Sequence, residues 1–268
     1  MGTVYDALNK AQREMKRVAP VTDDKIARAR AETGRETDAW AEFLTQVDPH
    51  LIMHREADPA ATEQFKVLRT RLFLQHEDPP RSLMVASSVA GEGKTLVAAN
   101  LAIALAMGLT GDAILVDCDL RRPSLHRLFG LPERRGLADY LLREEDLDAL
   151  LVRTPLDRLL LLPSGAVLHR NAPELLSSVR MGVLFSELMR CYPGHSIICD
   201  CAPLSAGPDA AILERHVDGT LLVIKAADAG REVVSRALSM LDKSKVLGMV
   251  FNGSRQGIDL QRYVRQAA

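Results

Sequence analysis

No charge of one sign dominates the 268-residue chain: 34 lysines and arginines stand against 35 aspartates and glutamates, a formal net charge of −1. Bulk attraction to nucleic acid or to an anionic membrane is therefore not written into the composition, and partners have to be recognised by local sites. Cysteine is scarce. The four present, Cys118, Cys191, Cys199 and Cys201, have neither the paired C-x-x-C spacing of a zinc site nor the density of a disulfide framework. Three of them fall in apolar runs and read as small, reduced core residues. No run reaches the roughly 18 apolar residues of a membrane span. The start, MGTVYDALNKAQREMKR, carries charges throughout and has no apolar segment of the signal-peptide kind. These absences point to a cytoplasmic protein whose link to a membrane runs through a partner.

With 47% hydrophobic and 26% charged residues, the chain is long enough for one α/β domain with a substantial core plus an extension. Residues 1–50 read as that extension. Val4, Leu8, Ala11 and Met15 recur at helical spacing and make one apolar stripe on a basic helix. Such a helix either packs back on its own domain or docks on another subunit or partner. Residues 19–50 read as a linker, with a weak helix around Trp40 and Phe43. Residues 51–268 form the domain. Asp58 and Pro59 supply an N-cap and a first-turn proline for a helix running through ATEQFKVLRTRLFLQ. Apolar strands are expected at 83–87, 113–118, 159–163, 196–200, 220–225 and 247–251, with helices at 94–109, 136–151, 173–191, 208–215 and 231–242. Continuously apolar strands separated by helices imply a mostly parallel sheet covered on both faces. Ligands of such sheets sit beyond the carboxyl ends of the strands.

Three strand ends carry chemistry. The first is LMVASSVAGEGKTLVAANLAIALA at 83–106. A phosphate loop works because successive backbone N–H groups and a helix N-terminus face the anion, while Lys and Ser/Thr reach the phosphates and Mg²⁺. Gly91, Glu92, Gly93, Lys94, Thr95 and Leu96 are the candidate nucleotide contacts, with Ser88 where the common pattern begins in glycine. The second end is ILVDCDLRRP, in which strand alternation puts Asp117 and Asp119 on one side, followed by Arg121 and Arg122. Two neighbouring carboxylates are costly unless a cation joins them, and phosphate-bound Mg²⁺ is the natural one. The third end, SIICDCAPL, places Asp200 as a further metal carboxylate. The chain therefore reads as a P-loop protein that binds a nucleoside triphosphate with Mg²⁺.

Together AGEGKT, ILVDCDLRRP and IICDCAPL resemble the bacterial tyrosine kinases that regulate capsule and exopolysaccharide chain length, relatives of the MinD and ParA ATPases. The resemblance runs from about residue 58 to 252 and includes LRRPSLHRLFGL, GLADYL, LPSG and APELLSS. Val89 stands where MinD-type loops carry a signature lysine. By this resemblance, Lys94 and Thr95 bind phosphates and Mg²⁺, Asp119 and Asp200 lie nearer the metal, and Asp117 orients or deprotonates the acceptor tyrosine. Arg121 or Arg122 neutralises phosphoryl charge or bridges subunits. Asn252 matches the family's adenine contact, with a capping or turn asparagine as the other reading. TEQFKVLRTRL looks like the E-x-x-R-x-x-R helix that joins subunits into a ring; Glu63 and Arg69 match, and Lys66 replaces the middle arginine.

The departures are Ala90 and Ala202, small residues in place of family prolines, and the tail. The family ends in a tyrosine cluster, whereas here Tyr263 is the single tail tyrosine, with Tyr5, Tyr140 and Tyr192 elsewhere. The expectation is a Mg-ATP-dependent protein-tyrosine autokinase that phosphorylates Tyr263 in trans. It would form a homo-oligomeric ring, be stimulated by a separate membrane-bound chain-length protein, and bind no nucleic acid. The sparse tail keeps open a second reading, a nucleotide-switched assembly ATPase that modifies no tyrosine.

Overall fold

Short apolar runs separated by helices leave few arrangements that bury every strand on both faces. The computed structural model describes residues 47–51, 58–75, 78–108, 111–143, 145–168, 171–228 and 230–254. Its seven strands form one sheet in the order β3-β4-β2-β5-β1-β6-β7. They are β1 Ser82–Ser87, β2 Asp112–Asp117, β3 Val152–Arg153, β4 Leu159–Leu162, β5 His195–Asp200, β6 Gly219–Lys225 and β7 Val246–Asn252. All neighbours run parallel except β3, which pairs antiparallel with β4. β3 was not foreseen, because a two-residue strand leaves no periodicity to read.

Alternate residues of the central strands enter two cores. Met84, Ala86, Ile114, Val116, Ile197 and Cys199 pack with Leu137, Leu184 and Leu188 on one face. The intervening Leu83, Val85, Leu115 and Ile198 are as deeply buried, and α2, Lys94–Ala106, lies against β1, β2 and β5. Full burial of such a side chain stabilises by about 1.5–3 kcal/mol. Because α2 is covered almost all round, its sequence is apolar almost all round. The exception, Asn100, donates its amide to the carbonyls of Leu96 and His50, at 3.0 and 3.1 Å. That bond anchors residues 47–51, whose Val47 and Leu51 are buried.

Ahead of the sheet, α1, Pro59–Arg69, starts where expected, the Asp58 carboxylate accepting the Ala61 N–H at 3.0 Å, and it continues into a π-helical turn, Thr70–Leu74. After β2 come α3, Leu125–Leu128, α4, Leu137–Arg143, and α5, Leu147–Leu150. After β4 come α6, Ala172–Leu176, and α7, Val179–Cys191. Last are α8, Asp209–Leu213, and α9, Arg231–Ser239. Two expected helices are thus each two. The span 136–151 breaks before Asp146, which caps α5, and the span 173–191 breaks at Ser177–Ser178. Asp and Ser at these points favour a new start over helix interior. Cys118, Cys199 and Cys201 are buried and unbridged, and Cys191 is exposed. Among the described residues no helix is long and apolar enough to cross a membrane. The amphipathic N-terminal helix, Tyr5, Trp40, Phe43 and Tyr263 lie outside the described residues.

Candidate active site

The three flagged motifs meet at the carboxyl ends of β1, β2 and β5, which are neighbours in the sheet. In the loop after β1, Gly93 caps α2 with φ 92°, a left-handed conformation that suits glycine. A Cβ at Gly93 would also overlap the Asn252 side chain, whose amide donates to the Glu92 carbonyl at 2.9 Å. The buried Glu92 carboxylate accepts the Val89 N–H at 2.8 Å and the Lys225 N–H at 3.3 Å. The Ser87 hydroxyl donates to the Val89 carbonyl at 3.0 Å. These bonds hold the loop without an initial glycine at Ser88, whose carbonyl accepts the Ser205 N–H. Gly91 lies exposed at the tip, and Leu96 is half-buried in the first turn of α2.

Lys94, also in that first turn, aims its ammonium across the sheet edge. Its Nζ lies 3.3 Å from Asp119 Oδ2, 3.3 Å from Asp200 Oδ1 and 3.1 Å from the Thr95 hydroxyl. Burial alone would lower the lysine pKa, but Asp200 and Asp119 outweigh it and hold the ammonium well above its ordinary value. Asp200 is itself raised by burial, against the pull of Lys94. Its Oδ2 is buried with no hydrogen-bond partner. Thr95 also hydrogen-bonds Asp200, and a buried oxygen left over in a folded protein marks a strained or catalytic group or the place of a water or ion.

Asp117 sits opposite Asp200 in the β2–β5 register, and both are fully buried. Burial and the neighbouring Asp200 push Asp117 up to about 7. Strand alternation does not carry through to Asp119, because β2 ends at Asp117. Asp117 Oδ1 instead accepts the Asp119 N–H at 3.3 Å, while its Oδ2 accepts the Ser124 and Leu125 N–H groups, each at 3.0 Å. Asp119 accepts the Arg122 N–H at 2.9 Å and turns its other oxygen to Lys94. Both carboxylates lie near Lys94 and Asp200 but have different partners: Asp117 accepts from loop N–H groups, and Asp119 turns one oxygen to the ammonium.

Lys94, Thr95, Asp119 and Asp200 are therefore brought together. Arg121 is not among them, because its guanidinium forks onto Asp209, Nε to Oδ2 and Nη2 to Oδ1. Sequence reasoning missed Asp209. Its one signal is a helix opening after Gly207-Pro208, and nothing in the sequence ties it to Arg121. Asn252 is turned to the phosphate loop. On α1, Glu63 and Lys66 are exposed and paired with each other at 3.7 Å. Arg69 turns inward instead, donating to the Ala104 carbonyl at 2.8 Å in the last turn of α2, where a cation complements the helix dipole.

Among the described residues no cluster of three or more His, Cys, Asp or Glu could hold a metal alone. Two carboxylates and a hydroxyl beside a phosphate loop nevertheless fit Mg²⁺, which takes few protein ligands and fills its shell with phosphate oxygens and water. The unpartnered Oδ2 of Asp200 is the observation that carries this fit.

No model of a known protein family matches the chain. The tyrosine-protein kinase YwqD of Bacillus subtilis is 33% identical over 214 residues, 79% of this chain and 89% of that protein. Among solved structures, the chimerical protein CapA2B2 superposes with a TM-score of 0.72 at 27% identity, covering 79% of this chain and 92% of that one. The kinase domain of Escherichia coli tyrosine kinase ETK gives 0.70 at 28% identity, over 79% and 83%. With the phosphate loop, the three aspartates and the sheet order in place, the chain belongs to the bacterial tyrosine kinase family.

Proposed function

We propose that this protein is an ATP-dependent protein-tyrosine autokinase of a capsule or exopolysaccharide system. The single observation that carries the reading is the Lys94 ammonium shared by Asp119 and Asp200 at the N-terminus of α2. It joins an anion-binding helix end to an acidic pair with a free oxygen. Lys94, Thr95 and the N–H groups of residues 91–95 would hold the phosphates, and Asp119, Asp200 and Thr95 would hold the metal. Bound Mg²⁺-ATP would supply the phosphoryl group and neutralise the charge on its oxygens.

The remaining work is positioning. Asp117 is the carboxylate for the acceptor hydroxyl. Pushed up to about 7 by burial and the neighbouring Asp200, it can take a proton at neutral pH. The described tyrosines are poor acceptors. Tyr140 is buried against Arg180 and bonded to Glu187 at 2.8 Å. Tyr192 precedes β5, at the opposite edge of the sheet, and is bonded to Asp148 at 2.6 Å. Of the two remaining tyrosines, Tyr5 and Tyr263, the tail residue Tyr263, delivered in trans by a second copy, is the acceptor. A homo-oligomer using the exposed Glu63 and Lys66 of α1, stimulated by a separate membrane protein, completes the reading.

The test is phosphosite mapping after incubating purified protein with ATP and Mg²⁺. Phosphotyrosine is expected, and Tyr263→Phe should remove most of it. Phosphate release with no phosphotyrosine would instead identify an assembly ATPase.

A further inference from the structure

The β2–β5 ladder is continuous up to the active-site edge and then stops. Asp117 is in register with Asp200, and one further bond, from the Cys118 N–H to the Asp200 carbonyl at 2.8 Å, is the last rung. Asp119 therefore hangs beyond the end of the backbone pairing, on a loop that nothing in the ladder holds against the loop after β5. The two loops are joined further out by a side-chain strut. Arg121, two residues past Asp119, places Nε on Oδ2 and Nη2 on Oδ1 of Asp209, the latter at 3.1 Å. Asp209 is the first residue of α8 and is only 2% exposed. A planar guanidinium forked on both oxygens of one carboxylate sets distance and orientation together, which a single-point contact does not. The room around the strut is tight as well, since a Cβ on Gly207 would lie 3.3 Å from Arg121 Nη2. The loop after β5 is pinned on its other side by the Ser205 N–H on the Ser88 carbonyl, at 3.0 Å.

We propose that Asp209 is a positioning residue which, through Arg121, fixes the loop carrying Asp119 against the loop that follows Asp200 and so sets the separation of those two carboxylates. Arg121 then acts as half of a strut and leaves phosphoryl charge to Lys94 and the metal. Buried ion pairs contribute little net stability but are well suited to fixing geometry. The inference rests on the reading of Asp119 and Asp200 as the metal-holding pair. It extends that reading by naming what holds the two carboxylates relative to one another.

The test measures binding, not turnover. A fluorescent ADP analogue is titrated against wild type, Asp209→Asn and Arg121→Lys in EDTA and over a series of Mg²⁺ concentrations, and thermal unfolding of each variant is followed in parallel. Arg121→Lys keeps the charge beside Asp209 but removes the fork, so it serves even where Asp209→Asn folds poorly. Loss of a residue that supports metal ligands weakens metal affinity by about 10–100-fold. Both variants should therefore raise the Mg²⁺ concentration needed for half-saturation by at least about tenfold and leave affinity in EDTA unchanged. Equal weakening in Mg²⁺ and EDTA, or no change in either, overturns the proposal. Wild-type binding that is no tighter with Mg²⁺ than with EDTA overturns it too, by removing the metal pair beneath it. Absence of phosphotyrosine would count against the kinase reading alone, because no phosphoryl transfer enters this measurement.

Discussion

The loops that follow β1 and β2 leave the same edge of one sheet, yet they keep their shape by different means. The phosphate loop is tied by groups from outside it and by one carboxylate of its own: Asn252 from β7, the Lys225 N–H from β6, and Glu92 closing back on Val89. That arrangement leaves Lys94 and Thr95 facing the reacting region. The loop after β2 is braced from within, by the Asp117 carboxylate on the N–H groups of Asp119, Ser124 and Leu125, and is strutted outward by Arg121 on Asp209. Of its four flagged side chains, only Asp119 is bonded to Lys94. A charged residue in a motif can thus serve the loop that presents the reacting groups as well as the reaction itself, and its hydrogen-bond partners show the structural part.

The largest effect expected from this contrast comes from Lys94→Ala. It removes the ammonium between Asp119 and Asp200 and a phosphate contact at once. Phosphotyrosine formation should drop by about 10²–10³ or more, the scale for losing one preorganised charge-stabilising donor. Stripping a buried pair of its partner costs about 3–5 kcal/mol, so urea denaturation of the nucleotide-free protein should shift to a lower midpoint. Retention of most kinase activity would show that the first loop does not present the reacting cation.

Glu92→Ala should come next. It leaves the Val89 and Lys225 N–H groups without an acceptor, at about 1–3 kcal/mol each where they are shut off from water. Nucleotide affinity should weaken about tenfold, in line with a loss of roughly 1.4 kcal/mol, while a tyrosine acceptor's own KM stays put. Glu92→Gln, which keeps one acceptor oxygen, should fall between the variant and wild type. If both variants bind nucleotide as wild type does, the side-chain clasp is not what shapes the loop.

The smallest effect concerns the inner brace. The folded protein favours neutral Asp117, whose pKa is pushed up to about 7 from an ordinary 3.8. That favourable contribution is complete below the unfolded value and is lost as pH rises through the folded one. Asp117→Asn carries no such charge, so the difference in Tm, variant minus wild type, should become more positive by a few degrees between pH 5 and pH 8 without nucleotide. A difference that stays flat with pH would mean that Asp117 is not held neutral by its surroundings.

Much of this was legible in the chain. The six longer strands and the start of α1 follow from apolar runs and from Asp58-Pro59, because burial and capping are local demands on residue type. The nucleotide loop was readable for the same reason: Gly93, Lys94 and Thr95 each meet a requirement within a few residues of one another. The helix breaks at Asp146 and at Ser177–Ser178 were missed where apolar periodicity ran through residues that also start helices. The inward turn of Arg69 escaped the reading for another reason: its acceptor, the Ala104 carbonyl, lies 35 residues along the chain.

By itself the sequence determined that the central strands would be buried on both faces, that an anion-binding helix end would follow the first of them, and that acidic residues would collect at strand ends. Each of those follows from the chemistry of neighbouring residues. Only the tertiary structure decided the strand order that sets β1 between β5 and β6, and with it the meeting of Lys94, Asp119 and Asp200. It alone showed that Asp117 also braces the loop that follows it and that Arg121 pairs with Asp209. Those assignments depend on which groups stand within hydrogen-bond reach after long stretches of chain have closed on one another, and a linear pattern does not carry that distance.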